Sequence, residues 1–243
     1  MTAKGQLYLV PCGLSDKGTP ADVLPSSVVA QVRRLEVFVV ENAKSARAFL
    51  SACGHPRPLR EIGMSELNEH TPPEAVPALL EPLRQGTDLG LLSEAGVPAV
   101  ADPGARLVAA AHDEGIRVVP LVGPSSILLA LMASGLEGQR FRFHGYLPVQ
   151  PDARRARLAE IERESALRDE TQVFIETPYR NDALLADVIQ ACRDDTRLAV
   201  AADLTAPGEE IRSVEVAAWR KSGVTIGKRP AVFLLLARSR AKR

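Results

Sequence analysis

The residues best placed to do chemistry in this 243-residue chain are Ser93-Glu94-Ala95-Gly96-Val97-Pro98, which run through Ala99-Val100-Ala101 into Asp102-Pro103-Gly104. The apolar run 89–92 before them reads as a buried strand, and a helical pattern begins near Ala105. Between the two, Gly and Pro at close intervals leave backbone amides and carbonyls exposed, with the Glu94 carboxylate among them. Such a loop is suited to binding. Bare backbone lets a polar ligand approach closely, and in open α/β sheets ligands sit outside the carboxyl ends of strands, where such loops lie. A bulky side chain at Gly96 is therefore expected to fill the approach path. An ordinary strand-to-helix connection is the other reading of the same residues.

The elements that must position this loop alternate. Strands are expected at 7–10, 35–40, 89–92 and 116–122, and helices at 44–53, 73–85 and 106–114. That order implies a parallel sheet with crossover helices. Gly123-Pro124-Ser125-Ser126 then opens an apolar helix at 127–134, with Ser125 or Ser126 as its N-cap. A second unit is expected to begin there, giving domains 1–122 and 123–243. In the second half, strands at 140–146, 172–176, 198–202, 212–216 and 232–236 have fewer helices between them, at 152–168 and 183–192. The fold class is thus α/β, with two α/β domains, the first mainly parallel and the second a mixed sheet. The helix 152–168 mixes arginines with glutamates and reads as a charged, solvated face, and the basic tail 238–243 as a frayed terminus.

Composition narrows the function classes. Lys plus Arg number 30 and Asp plus Glu number 30, so no global charge excess points to nucleic acid or a membrane surface. Cys12, Cys53 and Cys192 are widely spaced and form no Cys-x-x-Cys pair, which fits a reducing, cytoplasmic compartment. The apolar start, 7–10, is too short for a signal peptide or a membrane span. No two glycines lie two residues apart, so the dinucleotide fingerprint is missing. The stretch 223–228 falls one residue short of a phosphate loop, with Arg229 where Ser or Thr is required. His55, His70, His112 and His144 are scattered without ligand spacing, so no metal site is expected, and there is no Gly-x-Ser-x-Gly elbow.

Six ordered segments carry a resemblance. They are Leu7-Tyr8-Leu9-Val10-Pro11; Ser93 to Pro98 with Asp102-Pro103-Gly104; Val119 to Ser126; Ala133-Ser134-Gly135-Leu136; Phe143-His144-Gly145-Tyr146-Leu147-Pro148; and Phe174-Ile175-Glu176-Thr177-Pro178-Tyr179-Arg180. In this order they resemble the tetrapyrrole methylase superfamily of S-adenosylmethionine-dependent methyltransferases. Within it they resemble the branch that methylates a cytidine ribose 2′-oxygen of small-subunit ribosomal RNA. The resemblance implies an S-adenosyl-L-methionine cofactor in a cleft between two α/β domains, a homodimer, and ribosomal RNA or the small ribosomal subunit as partner.

It also implies roles for residues. Leu9 and Pro11 would form one wall, Glu94, Gly96 and Val97 would meet the cofactor's polar parts, and Pro230 and Ala231 would line the adenine side. Ser125, Ser126 and Ile127 would present a helix N-terminus to its carboxylate. A hydroxyl acceptor must lose a proton, and Glu41, Glu176 and Asp203 are the candidate bases, unranked by sequence. The chain departs from the branch's pattern in three places. Cys12-Gly13-Leu14-Ser15 replaces an Ile-Gly-Asn-Leu-like stretch, Glu41-Asn42-Ala43-Lys44 replaces Glu-Asp-Thr-Arg, and Asp203-Leu204-Thr205-Ala206 replaces Glu-Leu-Thr-Lys. These changes suggest an altered or lost acceptor. A tetrapyrrole or other small-molecule methyltransferase, and a non-catalytic cofactor-binding protein, are the competing expectations.

Overall fold

The computed structural model describes residues 3–15 and 17–238; all of the basic tail beyond Arg238 lies outside the described residues. The chain forms two compact units that divide between Ser125 and Ser126.

The first unit is built on β1 (Leu7–Val10), β2 (Val37–Val40), β3 (Gly63–Glu66), β4 (Leu89–Leu92) and β5 (Val118–Pro120), in the order β3-β2-β4-β1-β5. Every pairing is parallel. Parallel neighbours need crossovers, and these carry α1 (Pro20–Val23), α2 (Ser26–Val32), α3 (Ala43–Ala52), α4 (Glu81–Arg84) and α5 (Gly104–Asp113). The pleat sends alternate side chains to opposite faces. Leu7, Val39, Leu89 and Leu91 pack with Leu80, Leu83, Leu107 and Ala111, while Val10, Phe38, Val40 and Leu92 pack with Val32, Ala46 and Leu50. Both faces are covered, which is why these strands read as continuous apolar runs.

Residues 73–85, expected as one helix, form a 3-10 run over Pro73–Leu80 followed by the single turn of α4. Pro77 lies within the run and Pro82 within the turn. Neither has an N–H for the α-helical ladder, so the pattern kept its apolar face but not its regular hydrogen bonding. β3 lies outside the sequence expectation. Its Gly-Met-Ser-Glu run has no apolar period, and as an edge strand it pairs with β2 alone.

The second unit carries β6 (Phe141–Tyr146), β7 (Thr171–Ile175), β8 (Arg197–Ala202), β9 (Glu210–Glu215) and β10 (Ala231–Leu236), in the order β6-β7-β10-β8-β9. Only β6 and β7 are parallel, so the sheet is mixed. α6 (Ser126–Ser134) packs on β8, β9 and β10; α7 (Pro151–Arg168) packs on β7, β10 and α8 (Asn181–Ala191); α9 (Val216–Ser222) packs on α8 and β9. Phe174 and Phe233 stack with centroids 5.9 Å apart, inside a core with Leu158, Ile161, Leu184 and Trp219. α7 is not simply a solvated face. It is covered by both sheet and α8, and it turns Arg154 and Glu162 inward. The Arg154 guanidinium, 4% exposed, lies 2.6 Å from Asp187 of α8, whose other oxygen takes Arg155 at 2.9 Å. No helix among the described residues is long and apolar enough to cross a membrane.

Candidate functional site

In the first sheet β1 and β4 are neighbours, yet the chain leaves β1 toward β2 and leaves β4 in the other direction, toward β5. The loops that follow them diverge. A crevice outside the carboxyl ends at such a reversal is where open α/β sheets bind ligands. The two loops are tied together at their roots. Cys12 N–H donates to the Gly96 carbonyl at 2.8 Å, and Gly96 N–H donates to the Gly13 carbonyl at 3.3 Å. Gly96 sits at φ 70, and a Cβ there would stand 3.1 Å from Leu14 Cδ2. It is buried, not open to solvent, so a bulky side chain at this position strains the loop itself before it meets any ligand. The Cys12 thiol donates to the Ser93 carbonyl, and burial pushes its pKa far up, so it is not a nucleophile.

Three acids gather at this edge. Glu41, next after β2, accepts the Glu94 N–H at 2.7 Å. The exposed Glu94 accepts the Ser45 hydroxyl at 3.3 Å. Asp102 takes the Ala99 N–H at 2.9 Å and the Gly104 N–H at 2.7 Å, and so closes the loop onto the start of α5. Among the described residues none of the three has an ion-pair partner. Burial raises the pKa of Glu41, the Glu94 N–H opposes that, and the charges of Asp102 and Glu94 raise it further. Burial also raises Asp102, against the pull of its Gly104 and Ala99 donors. Asn42 caps α3 by accepting from Lys44 N–H at 2.8 Å and Ser45 N–H at 3.4 Å. The Asp-to-Asn departure therefore leaves the cap intact, since the two residues cap equally well.

Of the other expected residues, Leu9 and Pro11 are packed within the first unit, while Ser126 and Ile127 begin the second. Leu9 packs half-buried against the α5-side core. Pro11 is covered by the backbone of Gly123, where a Cβ would come within 2.3 Å of it. Val97 is half-buried, Ser125 precedes the first residue of α6, and Ser126 and Ile127 form that helix's first turn, half-buried.

Register gathers the remaining residues at one edge of the second sheet. Ile175 faces Val232 and Ala231 faces Ala202, so Glu176, Ala231 and Ala202 stand side by side; in the next row, Asp203 N–H donates to the Pro230 carbonyl at 2.9 Å. The Glu176 side chain is fully enclosed. Its Oε1 accepts the Thr177 N–H at 2.7 Å and the Arg180 guanidinium at 2.6 Å, while Oε2 has no partner. Half-buried Asp203 lies 4.0 Å from Arg229, which also binds Glu210 at 2.9 Å. Asn181 donates to the carbonyls of Gly227 and Arg229, pinning the segment before β10 onto the start of α8.

Backbone strain marks both edges. Of the non-glycine residues with left-handed φ among those described, Ala99 and Ala101 lie in the first loop, and Asp203 and Thr205 in the turn after β8. Asp169, the remaining one, ends α7. Strain of this kind persists only where surrounding structure over-determines it, and it clusters at ligand clamps. Sequence reasoning passed over Asp102, Arg180 and Arg229 as site residues. Asp102-Pro103-Gly104 carried a readable signal, an acid two residues before Gly104 that accepts the first N–H of α5, whereas Arg229 meets Asp203 only through β register.

The arrangement defines a two-unit α/β protein whose parallel sheet presents acids and strained backbone at a topological reversal. The family model described as Tetrapyrrole (Corrin/Porphyrin) Methylases matches residues 7–218, and the chain belongs to this methyltransferase family. Proteins named ribosomal RNA small subunit methyltransferase I are similar to it. The one from Mesorhizobium japonicum is 37% identical over 85% of this chain and 66% of its own length. Those from Escherichia coli O157:H7 and Mycobacterium bovis are 31% and 33% identical, over 90% and 91% of this chain and 73% and 75% of their own lengths. The chain thus spans about two thirds to three quarters of these relatives. In fold it resembles the methyltransferase CobJ, with TM-score 0.62 at 18% identity over 98% of this chain and 96% of that one. It also resembles uroporphyrin-III-C-methyltransferase from Thermus thermophilus, with TM-score 0.54 at 21% identity over 96% and 92%.

Proposed function

We propose that the protein is an S-adenosylmethionine-dependent methyltransferase whose acceptor is a cytidine ribose 2′-hydroxyl of small-subunit ribosomal RNA. The relatives aligned over most of the chain support the acceptor class. The observation that carries the cofactor assignment is the set of acids at the parallel sheet's edge, Glu41, Glu94 and Asp102, that have no counter-ion among the described residues. When bound, the cofactor supplies a methyl group on a positively charged sulfur, beside an ammonium group. Carboxylates without a cationic partner fit such cations and would repel a phosphate. Glu94, with the backbone of Gly96 and Val97, would hold the polar parts.

Orienting donor and acceptor is worth roughly 7–11 kcal/mol of barrier. Proton removal is left to a side chain. Glu176 is enclosed and bound to Arg180, which suits positioning. Asp203 stands near Arg229. Glu41 is the one whose surroundings raise its affinity for a proton, and a base tuned upward takes a hydroxyl proton better as the oxygen–carbon bond forms. The altered 203–206 segment does not leave its edge without a cation, since Arg229 stands beside Asp203 where Ala206 brings no charge.

A homodimer and a cytoplasmic location belong to the same proposal. Leu128 and Met132, one turn apart on α6, are 56% and 79% exposed, an apolar surface for a second copy to cover; all three cysteines are buried and free. Labelled cofactor is expected to mark the cytidine 2′-oxygen on small subunits from cells lacking that modification. Cofactor binding by calorimetry without transfer to RNA would redirect the reading to a small-molecule acceptor. Absence of binding at millimolar cofactor would end it.

A further inference from the structure

We propose that Tyr179 is a stacking platform for an unpaired base of the acceptor RNA, an inference that rests on the RNA reading above. Tyr179 is 79% exposed although it lies in the short turn Pro178–Arg180, three residues after Glu176 at the edge that also holds Asp203. An exposed ring at the end of a strand offers a π-face on which a base can stack.

The turn is rigid. Glu176 holds both the Thr177 N–H and the Arg180 guanidinium, clamping the turn from its two ends, and Pro178 fixes its own φ. The neighbouring segment is fixed as well. Asp182 accepts the Ile226 N–H at 2.6 Å and the Gly227 N–H at 3.1 Å, and Asn181 binds the Gly227 and Arg229 carbonyls. Lys228, between those anchors, places its ammonium 5.2 Å from the Tyr179 ring centroid. Arg180 and Arg229 are spent on Glu176 and on Glu210, whereas among the described residues Lys228 pairs with no carboxylate.

A flat ring on a fixed backbone, with a cation over one face that pairs with no carboxylate among the described residues, is matched by one ligand chemistry, a planar base stacked on the other face with a phosphate next to it. Single-stranded RNA offers both, because its bases are free to stack on aromatic side chains, whereas a duplex keeps its bases in its own stack. An apolar protein surface would meet the Lys228 charge at the centre of the contact, which favours the polyanion.

The test uses the full chain, a fluorescein-labelled single-stranded RNA taken from small-subunit ribosomal RNA, and the same sequence as a duplex. Tyr179→Ala is expected to weaken single-strand binding about tenfold and leave duplex binding unchanged, while Tyr179→Phe, which keeps the ring, stays within about twofold of the unaltered protein. Lys228→Ala is expected to lower the slope of log affinity against log salt by about one. Cofactor affinity and the thermal midpoint should not move. Single-strand affinity unchanged in Tyr179→Ala overturns the platform alone, as does a loss in Tyr179→Phe equal to that in Tyr179→Ala. A dimer in light scattering that Tyr179→Ala dissociates assigns the ring to a second copy and also overturns it. An unaltered protein that binds neither RNA at about 0.1 mM, the weak end of non-specific nucleic-acid affinity, overturns the RNA reading together with the platform.

Discussion

The edge of the parallel sheet and the edge of the mixed sheet present the same kind of residue in opposite electrostatic states. At the first, Glu41, Glu94 and Asp102 are held by backbone N–H groups and a hydroxyl. At the second, Glu176, Asp203 and Glu210 face guanidinium groups of Arg180 and Arg229. The backbone partners fix the first set without cancelling its charge, so that edge keeps a negative potential and an acid with raised proton affinity. The two guanidinium groups offset most of the second set's charge, and among the described residues Lys228 pairs with no carboxylate. Identical side chains thus divide into a cation-holding, proton-taking group and a structural one, and partner type rather than residue type decides which.

The sharpest way to break that comparison is to neutralise one acid at each edge. Glu41→Gln is expected to lower kcat by about 10²–10⁴-fold, the range for a lost general base, and to weaken cofactor binding as well, because it removes one of the acids that face the cofactor's cations. Its effect on stability has the opposite sign. Because the folded pKa of Glu41 is raised, in the window between its ordinary value and that raised value the folded protein keeps a proton that the unfolded chain has released. Stability therefore declines as pH rises through that window and stays lower above it. Removing the carboxyl lifts this loss, so Glu41→Gln should melt slightly higher at neutral pH. Glu176→Gln should do the reverse, costing about 1–3 kcal/mol because it strips the charge from an enclosed partner of Arg180. Chemical denaturation and single-turnover rates at several pH values check both. If the two variants shift stability in the same direction, the division between the edges fails.

A second probe sharpens the backbone side. Gly96→Ala places a Cβ at φ 70, 3.1 Å from Leu14 Cδ2. The left-handed conformation alone costs an L-residue about 1–2 kcal/mol. The loop is expected to loosen its ties to Cys12 and Gly13, with cofactor affinity falling about tenfold, the equivalent of roughly 1.4 kcal/mol. Calorimetry alongside a thermal melt separates the two effects. Unchanged affinity in a destabilised protein would remove Gly96 from the binding loop.

Sequence made the first unit legible because a sheet buried on both faces writes itself as apolar runs such as 37–40 and 89–92. It concealed what depends on irregular backbone or on distance. β3 has no apolar period, and the prolines at 77 and 82 turned an apparently helical stretch into a 3-10 run. The Ser93–Pro98 loop was readable from glycine and proline spacing. The contact of Glu41 with Glu94 spans more than fifty residues of sequence, and the pairing of Asp203 with Arg229 exists only because β8 and β10 are antiparallel neighbours. α7 misled for a related reason: its charge balance gives no sign that Arg154 lies between two layers, where Asp187 waits on α8.

The smallest effect addresses the strain shared by the two edges. Ala99 and Ala101 hold φ 66 and 62 in the first loop, although alanine is disfavoured there. Both oxygens of Asp102 accept the Ala99 N–H, so a short-range hydrogen-bond pattern imposes the conformation. If that strain only reflects poor loop chemistry, Ala99→Gly relieves it, and stability rises by about 0.5–1 kcal/mol with function unaltered. If the strained alanine stiffens the loop for its ligand, the same substitution stabilises the folded chain yet weakens cofactor binding a few-fold, because glycine gives the free loop more conformations to lose on binding. The second outcome is expected, since the strain sits beside carboxylates that lack counter-ions among the described residues, and strain retained at such a place serves pre-organisation. Calorimetry on Ala99→Gly and on Thr205→Gly decides whether this holds at both edges. Thr205, at φ 66 in the turn that follows Asp203, should affect RNA affinity and leave the cofactor's unchanged.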